Sequence, residues 1–124
     1  MKKILIVLFF TIITSITFAG MNDNDKSKTI ECTGIYYANS MIPQGELALE
    51  KIVHSFAAKK FLSSYLLKEG VKEEKLNQEL LKVVDIRYGK PYEEKTTQKC
   101  DKFIFKLISG SKDEIKKIAE SGIY

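Results

Sequence analysis

The chain has 124 residues, 44% hydrophobic and 29% charged, with seven Gly, two Pro, two Cys and no Trp. That is the composition of one ordinary globular domain, and it excludes collagen-like, low-complexity and multi-domain organisation. A formal net charge of +4 spread along the whole chain gives no footprint for nucleic acid, and Arg87, the single arginine, cannot build a multi-arginine phosphate clamp.

Lys2 and Lys3 precede an apolar run from Ile4 to Phe18, which closes in Thr17-Phe18-Ala19 before Gly20. A basic start, an apolar stretch and small residues before a cut are the marks of a secretory signal peptide over residues 1–19, cleaved after Ala19. The run is short for a bilayer span, which takes about 20 apolar residues, so a retained anchor is the lesser alternative. No cysteine follows it directly, so a lipoprotein cut is unsupported. The expected location is therefore periplasmic or secreted, with no stable membrane span after cleavage. Cleavage also removes two of the 20 cations against 16 acids, leaving a balance of about +2.

Cys32 and Cys100 are the only cysteines, and both lie in the part expected to be exported. An oxidising compartment lets disulfides persist, so a Cys32–Cys100 bond is expected. A redox or nucleophilic thiol is disfavoured, because the chain has no C-x-x-C and only one histidine.

Residues 20–28 contain one apolar side chain among polar ones and read as a flexible tail. The domain proper is then 29–124. Thr29 can cap a first helix in which Cys32, Ile35, Tyr36 and Asn39 share a face, closed by Pro43 and Gly45. A second helix is expected from about Gln44 to Glu69. Its apolar side shifts from Leu49, Ile52, Val53 and Phe56 to Ala58, Leu62 and Tyr65, which suggests a central helix with different partners at its ends. Gly70 suits the left-handed cap position.

A third helix spans about Glu73 to Tyr88, with Leu76, Leu80, Val83 and Val84 as its stripe, and Gly89-Lys90-Pro91 ends it. A fourth spans about Tyr92 to Ser109, where Cys100, Phe103, Ile104, Leu107 and Ile108 fall on one side. Ser111-Lys112-Asp113-Glu114 reads as a capping box for a last helix over about Lys112 to Glu120, stopped by Gly122. The result is an all-α bundle of four to five helices stapled by one disulfide. Strand propensity is notable only at Gly34-Ile35-Tyr36-Tyr37 and Phe103-Ile104-Phe105, the alternative being a small added hairpin.

Chemistry-bearing residues are sparse. His54 is the only histidine, and without ligand spacing around it neither a metal nor a catalytic role is indicated. Ser109-Gly110-Ser111-Lys112 has the S-x-x-K spacing of penicillin-recognising enzymes but lacks their companion motifs. The acidic pairs Glu73-Glu74 and Glu93-Glu94 fall in first turns, where the helix dipole favours negative charge. No cofactor is implied, and an enzyme is disfavoured. Lysine-rich helix faces could touch anionic lipid, but acidic residues are interleaved with the lysines, so no basic stripe stands out. The first candidate binding loop is Arg87, Tyr88, Lys90 and Tyr92, which combines two tyrosines, the only arginine and two backbone breakers.

In layout, with a leader, about a hundred further residues, helices and two distant cysteines, the chain resembles periplasmic acid-stress chaperones such as the HdeA family and helical immunity proteins. The resemblance is one of layout, and no residue role is carried over. It implies a protein partner, with either a dedicated inhibitor or immunity role or, as the alternative, a stress chaperone with broad clients.

Overall fold

A computed structural model describes residues 20–122 as five helices: α1 Asp23–Ser40, α2 Leu49–Lys68, α3 Glu73–Arg87, α4 Glu94–Leu107 and α5 Ser111–Ser121. No strand occurs among the described residues, and both candidate strand segments lie within helices, one in α1 and the other in α4. The expected signal segment, 1–19, lies outside the described residues.

The first helix begins earlier than its composition suggests. Asn22 is its cap, accepting a hydrogen bond from the Asp25 backbone N–H at 2.8 Å. Asp23 and Asp25 occupy the first turn, where carboxylates offset the positive end of the helix dipole. Residues 23–28 are therefore helix rather than flexible tail, and Thr29 is buried inside it rather than capping it.

This polar helix packs along α2 and α3 and touches α4. The α2 helix, expected to be central with different partners at its ends, lies between α1 and α5 and also meets α4 through Lys51 and His54 and α3 through Leu66. The buried threonine hydroxyls of α1 are satisfied within the helix itself. Thr29 Oγ1 donates to the Asp25 carbonyl and Thr33 Oγ1 to the Thr29 carbonyl, each at 2.7 Å, so burying them leaves no orphan group. Gly34 sits against Val83 of α3, where an added Cβ would come within 2.5 Å of the Val83 Cβ. The absent side chain is what lets the two helices approach.

On α2 the buried positions Ile52, Ser55, Ala58, Leu62 and Leu66 form one stripe, whereas Leu49 is 63% exposed. The main core gathers Cys32, Ile35 and Tyr36 with Ala57, Ala58 and Leu62, Cys100, Ile104 and Ile108, and Ile115. A second cluster of Leu66, Leu76 and Leu80 holds the start of α3 against the end of α2. Cys32 and Cys100 are bonded within the main core, tying α1 to α4.

The last helix departs from the capping-box reading. Its cap is Gly110 in the left-handed conformation, with φ +80° and no side-chain hydrogen bond. Ser111 is buried and its hydroxyl donates to the Ile104 carbonyl of α4 at 3.3 Å, while Glu114 reaches forward to Lys117. The serine thus secures the α4–α5 turn instead of closing a box.

One face of α4 also corrects the sequence reading. Its acids turn toward α1 and α2, with Glu94 on Lys51 and Asp101 on His54 and Tyr36. Its lysines stay exposed on the side away from Cys100 and Ile104.

Candidate functional site

The loop between α3 and α4 follows from its residues. Tyr88 has φ −59° and ψ 130°, Gly89 has φ +76°, and the Lys90 N–H donates to the Arg87 carbonyl at 3.0 Å. This is a type II turn, whose third position requires the positive φ that glycine supplies without strain. Tyr88 occupies the second position, which carries its side chain outward to 82% exposure. Arg87, in contrast, is largely covered, and its guanidinium pairs with Glu93 at 3.3 Å, bracing the two ends of the loop.

Between this turn and the end of α1 lies an open cleft of about 520 Å³, bordered by Met41, Ile42 and Pro43 on one side and Val84, Tyr88 and Pro91 on the other. Arg87 and Lys90 also reach it. Met41, on the α1 side of this cleft, is 48% exposed. A large apolar side chain left this open across a cleft from an exposed tyrosine is of the type that anchors interfaces.

Tyr92 does not join the other three loop residues. It turns to a second, shallower depression of about 260 Å³ with Lys51, His54, Glu94, Thr97 and Asp101. The Lys51 ammonium stands 5.3 Å from the centre of the Tyr92 ring and 2.6 Å from Glu94 Oε2. Burial first, and then the Glu94 charge, push the Tyr92 hydroxyl above its usual range. The hydrogen bond from Lys51 holds the Glu94 carboxyl below its usual range, and Glu94 in turn holds the Lys51 ammonium above its own.

Beneath this depression is a polar network that the sequence did not single out. Asp101 Oδ1 accepts from the Tyr36 hydroxyl at 2.5 Å and lies 3.0 Å from His54 Nε2. The Tyr36 and His54 rings meet edge to face at 5.8 Å. Asn39 Nδ2 donates to Thr97 Oγ1 at 3.0 Å, which itself donates to the Glu93 carbonyl. Burial, and then the Asp101 charge, drive the Tyr36 hydroxyl far above its ordinary range, so it remains a donor. The helical spacing places Tyr36 on the Cys32 face, but nothing in the sequence pairs it with a residue 65 positions away.

A histidine held by a carboxylate is half of a general-base arrangement. The other half needs a nucleophile, and among the described residues no hydroxyl or thiol bonds to His54, while both cysteines are joined in the disulfide. Nor do three or more His, Cys, Asp or Glu side chains converge as metal ligands among the described residues. The network instead ties α1, α2 and α4 together through paired polar groups. Ser109 of the S-x-x-K sequence lies in the turn before α5, and Ser111 is committed to the Ile104 carbonyl.

Comparison with protein families, with curated proteins and with solved structures finds no match for this chain. No described helix is long and apolar enough to cross a membrane.

Proposed function

We propose that this is a small exported, periplasmic or secreted protein without enzymatic activity, which binds another protein in an inhibitor or immunity role. The observation that carries this reading is the Tyr88 turn: an aromatic side chain 82% exposed on a glycine-fixed turn, facing a cleft with Met41 beyond it. Exposing a tyrosine and large aliphatic side chains has no folding benefit, whereas aromatic anchors beside a pocket supply much of the energy at protein interfaces. The disulfide supports an oxidising destination.

The test is to immobilise the oxidised protein, identify what it retains from periplasmic extract and from culture supernatants of competing strains, and measure binding of each purified candidate. A single stoichiometric partner at neutral pH, with affinity lowered at least 30-fold by Tyr88→Ala, is the expected result, that being roughly the effect of removing an interface hot spot. Many weak partners held only in acid would replace this reading with a broad-client chaperone.

A further inference from the structure

We propose that the outer face of α4, carrying Lys95, Lys99, Lys102 and Lys106, docks the protein electrostatically on the surface of an anionic lipid bilayer. This does not rest on the Tyr88 reading. Spacings of four, three and four residues at 100° each place the four side chains within roughly 60° of arc, in a row about 16 Å long. All four are exposed, and the buried Thr97, Cys100 and Ile104 lie on the opposite side.

No acidic partner among the described residues is seated on the row. Among the described residues none of its lysines makes an ion pair or hydrogen bond. The two acids on the same helix are occupied elsewhere, Glu94 by Lys51 and Asp101 by His54 and Tyr36. Lys28 of α1 adds a fifth cation at the border, its ammonium 4.9 Å from the centre of the Phe103 ring.

The chemistry of the face selects the occupant. Neither the Tyr88 cleft nor the Tyr92 depression is lined by these lysines, and among the described residues no large apolar side chain is exposed on α4. A protein interface wants a desolvated aromatic or arginine anchor and is depleted in lysine. A bilayer rich in anionic headgroups needs only an unobstructed cluster of flexible cations, and a group of four to eight on an amphipathic helix is sufficient. Phe103 and Phe105 pack against the core rather than projecting from it, so the contact is one of charge, without insertion.

The experiment is co-sedimentation of the full chain, in the form the producing cell delivers, with vesicles of equal parts phosphatidylglycerol and phosphatidylcholine. Pure phosphatidylcholine vesicles report any contribution of the apolar N-terminal run. Binding to the anionic vesicles is expected at 50 mM salt and is expected to be abolished at 500 mM, since headgroup attraction is screened. Each lysine at such a surface contributes about fivefold, so Lys99→Gln with Lys102→Gln is expected to lower affinity about 25-fold. The same charge change at the start of α3, Lys72→Gln at its cap with Lys75→Gln in its first turn, is expected to lower it far less. All of these side chains are exposed, and an unchanged thermal transition verifies that each variant is folded. No binding to anionic vesicles at 50 mM salt would overturn the proposal, as would an equal loss for the two pairs. Retention on immobilised polyglutamate without vesicle binding would assign the row to an acidic protein instead.

Discussion

Gly34→Ala separates two forces that oppose each other at one position. By helix propensity alone, alanine inside α1 stabilises by about 1 kcal/mol. In the folded protein, however, the new methyl group would stand 2.5 Å from Val83 Cβ and 2.8 and 2.9 Å from its two γ-carbons. Carbon atoms are at ease at about 3.5–4.0 Å, so α1 and α3 must part by about 1 Å. No change of Val83 rotamer helps, because the nearest atom is its Cβ. Overpacking of this kind costs about 1–3 kcal/mol, and the separation also loosens the contacts that α3 makes through Leu80 and Val84. The expected net effect is a loss of about 1–2 kcal/mol, or a fall of about 5–15 °C in Tm for a domain of this size. Circular dichroism melting and urea unfolding under oxidising conditions would measure it. A variant more stable than the parent would refute the close α1–α3 approach.

Replacing both Cys32 and Cys100 with serine opens a loop with a sequence separation of 68, for which the chain-entropy relation gives a loss of about 4 kcal/mol; a urea-unfolding difference below about 1 kcal/mol would contradict it. Ser55 Oγ is buried without a hydrogen-bond partner among the described residues, so Ser55→Ala is expected to hold or raise stability by up to about 1 kcal/mol, and a clear loss in urea unfolding would show the hydroxyl to be satisfied. The Tyr36 hydroxyl is raised from its ordinary 10.0, so the unfolded chain ionises first and the folded state loses stability as pH rises past 10, by about 1.4 kcal/mol per pH unit for this group. Tyr36→Phe is expected to be less stable at pH 7 but to show a shallower alkaline decline, followed by urea unfolding from pH 8 to 12. Because Lys51 lowers the Glu94 carboxyl from its ordinary 4.5, the stability from that pair is present above this value and fades as pH falls through the lowered one. Carboxyl NMR titration should show Glu94 titrating below 4.5, and returning toward it in Lys51→Met.

The α3 and α4 helices and the disulfide were legible because their signals are local and redundant. Leu76, Leu80 and Val84 recur at helical spacing, Gly89 and Pro91 punctuate the chain, and both cysteines fall on apolar faces. The role of α1 was not legible, since Thr29, Thr33 and Gly34 look like surface or turn residues. Only the folded arrangement shows that the hydroxyls bond their own helix and that the glycine admits Val83. The Ser111–Glu114 pattern misled for a related reason: a competing acceptor, the Ile104 carbonyl, took the serine hydroxyl. At the candidate loop, Gly89 announced the turn that exposes Tyr88, but the chain order could not tell that Tyr92 turns toward Lys51 and away from the cleft. The lysine row of α4 was readable in principle. Acids and lysines that alternate along the chain fall on different faces of a helix at 100° per residue, so the row is visible in helical projection and not in linear order.

The central claim, that the Tyr88 turn anchors a protein partner, is tested most directly by titrating the purified partner against the parent protein and Tyr88→Ala by calorimetry at neutral pH. Tyr88 is 82% exposed, so its loss should leave the fold and thermal transition unchanged. The account predicts one-to-one binding by the parent and affinity at least 30-fold weaker for the variant. Equal affinities for the two proteins would contradict it.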